Sequence, residues 1–307
     1  GALAMLDDAA ALAVPPGATL VATADCLIAG VHFLKNARPE EIAPKLLRVN
    51  LSDLAAMGAE PRWYLLAAAF PKHAGADWIG RFARALGREQ KPFGITLIGG
   101  DTVATPGPAT FTVTALGLVR AGGELRRAGA RVGDDVYVSG TVGDGALGLR
   151  VLQGRLEVSA VHARALSMRY HRPSPRLALG RALVGLAHAA IDVSDGLVAD
   201  LGHICEASGV AAAIEADKVP LSPAAAAALR ARPALRTEVL TGGDDYELVF
   251  TAPPALAGRL RALARRLDLP LTRIGRIVPA RGRGPCVRVA DAMGRLVPLA
   301  RAGWRHF

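Results

Sequence analysis

Seven aspartates carry the chemistry legible in this 307-residue sequence: Asp8, Asp25, Asp53, Asp101, Asp192, Asp195 and Asp244. Each lies beside or near Gly, Ala, Ser or Thr, and none has a Lys or Arg within its own motif. One such aspartate is usually a turn or a helix cap. Seven of them, in a chain of formal charge +10, point to convergence on one acidic site that binds divalent cations. Every candidate ligand atom is an oxygen, which suits Mg²⁺ and argues against zinc. Mg²⁺ held by few carboxylates completes its shell with water and substrate phosphates, so the expected reaction is phosphoryl transfer from a nucleotide. No Ser-His-Asp or Cys-His arrangement is apparent, and no covalent intermediate is required.

These residues need elements to hold them. Asp53 sits in Asn50-Leu-Ser-Asp-Leu-Ala-Ala-Met-Gly58, which closes a helix predicted to begin after Pro39. Ile42, Leu46 and Val49 form its apolar stripe, and Asp53 lies four residues beyond Val49, near that stripe. Thr19 to Ala24 reads as a strand ended by Asp25, with His32 in the loop that follows. A lone His is more often structural, yet its place just past a strand-end carboxylate makes a substrate contact worth keeping. Gly94-Ile-Thr-Leu-Ile-Gly-Gly-Asp-Thr102 is a short apolar strand ending in a carboxylate, and its glycines let backbone approach a ligand. Asp192, Ser194 and Asp195 fall where a strand meets the helix Leu197 to Ser208, with Asp195 also eligible as its cap. Thr241-Gly-Gly-Asp-Asp-Tyr-Glu247 is a turn feeding a strand. Gly140-Thr-Val-Gly-Asp-Gly145 is a strand-to-helix turn that lacks a P-loop ending and reads as structural before it reads as a phosphate cradle.

Further strands are predicted at Trp63 to Phe70, Thr110 to Val119, Val132 to Ser139 and Leu271 to Val278, with short ones near Val287 and Leu296. Further helices are predicted at Ala76 to Arg88, Ser159 to Tyr170 and Ala255 to Leu267. The alternation gives two α/β domains, with a boundary near Gly154: residues 1–154 and 155–307.

Composition excludes several classes. At 51% hydrophobic residues the chain is globular, and no apolar run is long enough for a membrane span. The basic excess is not a nucleic-acid signature. Only five of the 37 Lys and Arg are Lys, the arginines are scattered among alanines, and aromatics are 5% without basic-aromatic interleaving. Such a surface still attracts anionic nucleotides and phosphate esters. Cys26, Cys205 and Cys286 are odd in number and widely spaced, which argues against a disulfide framework and for the cytoplasm. The start, Gly1-Ala-Leu-Ala-Met-Leu6, lacks a basic signal-peptide region and reads as a clipped beginning.

The motifs also carry a resemblance. Asp7-Asp-Ala-Ala, Thr23-Ala-Asp25 with Gly30-Val-His-Phe33, Val49 to Ala59, Ile98-Gly-Gly-Asp-Thr102, Ile191-Asp-Val-Ser-Asp-Gly196, Thr241 to Leu248 and the Trp-x-x-Phe tail resemble the thiamine-monophosphate kinase family. The match runs nearly end to end. The wider superfamily resembled is that of aminoimidazole ribonucleotide synthetase. It implies an α/β (α+β) fold of two domains: an N-terminal mixed-sheet domain for ATP binding and dimerisation, and a C-terminal α/β domain completing the active site. The implied activity is ATP-dependent conversion of thiamine monophosphate to thiamine diphosphate, by direct in-line transfer with several Mg²⁺ ions, in a homodimer without nucleic-acid or membrane partners. The implied metal ligands are Asp8, Thr23, Asp25, Asp53, Asp101, Asp192 and Asp195, with Asp53, Asp101 and Asp195 catalytic. Gly100, Asp101, Arg127 and Ser194 would contact ATP; His32, Asp244 and Trp304 would contact thiamine monophosphate.

The sequence departs from the family pattern at Leu6 for a Gly, Ala24 for a hydroxyl residue, Val103 to Pro106 for a stretch with an Arg, and Asp244 for a Glu. Two alternatives stay open: another ATP-using member of the superfamily with a different acceptor, and a nucleotide-binding regulator without catalysis.

Overall fold

The computed structural model describes residues 9–280, 282, 286–299 and 302–304. By contacts the chain divides into two units. The first runs to Leu54 and resumes over Ala59–Glu124; the second takes Ala55–Gly58 and everything from Leu125 onward. The division thus falls before the Gly154 expected from the sequence, and the strand and helix between Leu125 and Gly154 group with the second unit.

The first unit comprises β1 (Ala18–Ile28), most of α1 (Pro39–Ala56), β2 (Glu60–Pro71), α2 (Ala76–Glu89), β3 (Thr96–Thr105) and β4 (Thr110–Arg120). Its sheet has the order β1-β4-β2-β3, with β2 and β3 parallel and the remaining pairs antiparallel. Strand alternation gives it two unlike faces. Val21 and Leu27 of β1, Tyr64, Ala68 and Phe70 of β2, and Phe111, Val113 and Ala115 of β4 are buried. Helices cover this side: Phe82 of α2 stacks on Phe111 with ring centroids 4.6 Å apart, and Phe70 meets Phe82 edge-on at 5.9 Å. Leu20, Leu65 and Val103 project from the other side and are 39%, 37% and 49% exposed.

The second unit comprises β5 (Asp135–Ser139), α3 (Asp144–Leu152), α4 (Ala160–His171), α5 (Leu177–Leu183), β6 (Ala189–Asp192), α6 (Leu197–Ser208), β7 (Ala211–Glu215), α7 (Pro223–Ala231), α8 (Arg236–Thr241), β8 (Leu248–Ala252), α9 (Ala257–Leu267), β9 (Leu271–Val278) and β10 (Val287–Ala290). Its mixed sheet has the order β10-β7-β9-β5-β8-β6, with only β10 and β7 parallel. One core lies between this sheet and α6, where Leu197, Leu201 and Ile204 meet Val136, Ile191, Val249 and Ile274. A second gathers Leu179, Leu183, Leu260 and Leu263 with Tyr137 and Phe250, whose rings stack at 5.4 Å.

Several predicted ends move. β1 continues to Ile28 because Asp25, Cys26 and Leu27 pair with Val113, Thr112 and Phe111. Asp25 is therefore inside a strand and does not end one. β3 likewise runs through Asp101 to Thr105, so that aspartate is also mid-strand. The predicted strand near Leu296 reduces to a single bridge with Ala290.

Candidate active site

In the first unit, side chains alternate along β1, so Thr23 and Asp25 share the helix-covered face. The last turns of α1 bring Asp53 to them. The Thr23 hydroxyl donates to Asp53 Oδ2 at 2.5 Å, a short bond of the charge-assisted kind. Asn50, one helical turn earlier and wholly buried, fixes the register: its Oδ1 accepts from the Asp25 amide at 3.0 Å, and its Nδ2 donates to the Leu46 carbonyl at 2.9 Å. Asn50 lies in the same motif as Asp53, and its type alone does not mark it as a site residue.

Asp101 lies elsewhere on the sheet. It pairs with Ala67 of β2, Ala67 with Thr112 of β4, and Thr112 with Cys26 of β1. That row belongs to the face away from α1, and three strand spacings separate Asp101 from β1, roughly 14 Å. Asp101 is exposed and its Oδ1 accepts from the Thr102 amide at 2.8 Å. Gly100 has φ 148°, and a Cβ there would sit 2.7 Å from the Leu66 carbonyl carbon and closer still to its oxygen. Glycine is thus demanded by the approach of β2, whatever else its amide does. His32 accepts at Nδ1 from the Ile28 amide at 3.0 Å, which leaves the ring proton on Nε2. Buried Lys45 donates to the His32 carbonyl at 3.0 Å.

In the second unit three segments meet. Val193 donates its amide to the Glu247 carbonyl and Tyr246 to the Val193 carbonyl, both at 2.8 Å. Asp244 donates its amide to the Ser194 carbonyl at 2.9 Å, and Trp304 to the Asp195 carbonyl at 3.0 Å. The expected residues Asp192, Ser194, Asp195, Asp244 and Trp304 are brought together here. Asp192 ends β6 and is buried, whereas Trp304 is 48% exposed. Asp195 does not cap α6. Gly196 holds that position, and Asp200 reaches back to accept from the Asp195 and Gly196 amides, each at 3.0 Å. Asp200 is the fourth residue after Gly196, one turn into the helix, and a carboxylate one turn past a helix-opening glycine is the signal that could have revealed it. Burial, with the Asp195 charge second, pushes the Asp200 carboxyl up to about 7.

Arg127 lies apart from this cluster. Its carbonyl accepts from Ser208 Oγ at 3.3 Å, at the far end of α6 from Gly196 and roughly 18 Å away along the helix axis. The turn Gly140–Gly145 is already filled by the chain itself. Asp245 accepts from the Gly143 amide at 2.6 Å and the Gly145 amide at 2.9 Å. This favours the structural reading of that turn. Asp8 lies outside the described residues. Among the described residues, no three carboxylate, imidazole or thiol side chains form a ready-made cation cage.

Residues 6–119 match the family described as AIR synthase related protein, N-terminal domain, and residues 131–285 its C-terminal domain. Thiamine-monophosphate kinase of Salmonella typhimurium strain LT2 is 46% identical over 272 residues, 88% of this chain and 82% of that one. The crystal structure of thiamine-monophosphate kinase from Stenotrophomonas maltophilia K279a is similar with TM-score 0.84 and 48% identity, covering 93% of this chain and 89% of that one. A structure of AaThiL complexed with AMPPCP and TMP is similar with TM-score 0.81 and 32% identity, covering 96% and 89%. The chain belongs to the AIR synthase related proteins and, within them, to the thiamine-monophosphate kinase family.

Proposed function

We propose that this chain transfers the γ-phosphoryl group of ATP to the phosphate of thiamine monophosphate, giving thiamine diphosphate and ADP. The observation that carries this reading is the 46% identity to the Salmonella kinase across most of both chains. The likeness to a complex holding AMPPCP and TMP supports it.

The donor set fits magnesium, since Thr23, Asp25 and Asp53 of the first unit and Asp192 and Asp195 of the second all offer hard oxygens. Those residues would hold the ions, with Asp101 and Asp8 as further ligands. Bound magnesium supplies charge neutralisation on the phosphate oxygens. The chain's own residues do the positioning. Thr23 and Asn50 keep Asp53 and the Asp25 backbone in fixed register. Gly100, Asp101, Arg127 and Ser194 are assigned to ATP. The half-exposed indole of Trp304 offers a flat face to the cationic thiazolium ring. Asp244 and the Nε2–H of His32 are assigned to the acceptor. With attacking and leaving oxygens in line, alignment is the main catalytic contribution asked of the protein.

The apolar sheet face carrying Leu20, Leu65 and Val103 is the side through which we assign a homodimer. No helix among the described residues is long and apolar enough to cross a membrane, and all three cysteines are unpaired. We assign the chain to the cytoplasm. The test is ADP release by the purified protein, which should require both thiamine monophosphate and Mg²⁺. Equal ATP consumption without the acceptor would refute the substrate assignment.

A further inference from the structure

The segment Asp244-Asp-Tyr-Glu247 alternates. Asp244 and Tyr246 are partly exposed, while Asp245 and Glu247 are buried at 1% and 0% exposure. Asp244 and Tyr246 also have φ of 72° and 53°. Left-handed backbone at a residue other than glycine costs about 1 kcal/mol or more and persists only where its surroundings impose it. The surroundings here are specific. Glu247 accepts from Ser139 Oγ at 2.6 Å, from Arg169 Nη2 at 2.9 Å, from Arg176 Nε at 2.6 Å and again from Arg176 Nη2. Arg169 Nη2 also donates to the Asp245 carbonyl at 3.2 Å. Ser139 in turn accepts from the Leu248 amide at 2.9 Å.

One buried carboxylate needs one cation for charge balance. This one has two, from the end of α4 and the residue before α5, and one grips both carboxylate oxygens. Arg169 is shared, its Nε lying 3.9 Å from Oδ2 of buried Asp144, so direction comes from Arg176: its bidentate guanidinium sets the plane of Glu247 as well as its charge. Glu247 follows Tyr246 directly, so its orientation governs how the chain leaves the left-handed turn.

We infer that Arg176 is a positioning residue of the acceptor site, holding the Asp244–Tyr246 turn in its left-handed form by clamping Glu247. This rests on the reading that Asp244 meets thiamine monophosphate. Arg169 contributes through the same carboxylate and through the Asp245 carbonyl.

The test is Arg176→Lys, which keeps the charge and loses the two-point grip. Wild-type turnover of thiamine monophosphate is measured first, and its absence would sink the parent reading before the clamp is tested. Given turnover, the clamp predicts that Arg176→Lys raises the acceptor KM about tenfold with the ATP KM changed less than about twofold. Thiamine monophosphate affinity by calorimetry should then be non-additive between Arg176→Lys and Asp244→Asn, the double variant losing no more than the worse single one. An unchanged acceptor KM with a lowered melting temperature, equal rises in both KM values, or additive losses would each overturn the inference. If Arg176→Lys does not fold, Glu247→Gln is read by the same criteria, with the same results for and against.

Discussion

The two adjacent glycines of β3 offer a controlled comparison. Gly99 and Gly100 have φ of 156° and 148°, so alanine at either position meets the same backbone penalty, about 1–3 kcal/mol. Each substitution also gains the same unfolded-state benefit, about 0.5–1 kcal/mol. What differs is the space. A Cβ at Gly99 would meet only the flexible Leu65 Cδ2, at 3.3 Å. A Cβ at Gly100 would lie 2.7 Å from the Leu66 carbonyl carbon and 2.9 Å from its nitrogen, where ordinary contact begins at 3.4 Å. Backbone cannot rotate away as a leucine tip can, so β3 must shift from β2 by most of an ångström. That opens one or two ladder hydrogen bonds at about 1 kcal/mol each and adds overpacking strain of about 1–3 kcal/mol. Gly100→Ala should therefore be less stable than Gly99→Ala by about 2–5 kcal/mol. Urea unfolding followed by tryptophan fluorescence suits the comparison, because Trp63 and Trp78 lie in the first unit. With a slope of about 1.5–2 kcal/mol per molar, the midpoints should differ by more than about 1 M. Midpoints within roughly 0.3 M of each other would refute the argument that strand approach, and not backbone angle, makes Gly100 obligatory.

Thr23→Val keeps the β-branched shape and removes the hydroxyl that Asp53 accepts. Steady-state kinetics should show kcat/KM lower by roughly 10- to 100-fold with the melting temperature nearly unchanged, and full activity would remove this pair from the site. Burial pushes the Asp245 carboxyl up from 3.8 to about 8, so the folded state binds more protons than the unfolded one between those values. Stability should then fall by a few kcal/mol as pH rises from about 4 to about 8. Asp245→Asn should flatten this slope in urea melts at pH 5 and pH 8.5, though it gives up one acceptor for the Gly143 and Gly145 amides; parallel pH profiles in the two proteins would contradict the assignment. Leu65→Arg on the open sheet face should turn a dimer into a monomer in light scattering, and an unaltered mass would move the interface elsewhere.

Much of this molecule was decided by local sequence. The helix over Pro39–Ala56, the strand over Leu271–Val278 and the helix over Leu197–Ser208 follow from apolar period and glycine placement, properties of a few neighbouring residues. The family is legible for a similar reason, since its motifs are short contiguous strings. What the tertiary structure decided involves partners far apart in the chain. Asp25 and Asp101 are mid-strand because strand length is set by the neighbours, here Val113 and Ala67, and not by the residues themselves. Which acids of Asp244-Asp-Tyr-Glu247 face outward was settled by Gly143, Gly145, Arg169 and Arg176, all 70 or more residues earlier. Sequence names the carboxylates, because chemistry belongs to the residue. Tertiary contact assigns them to anchoring or presentation, because burial and hydrogen-bond supply exist only once distant segments have met.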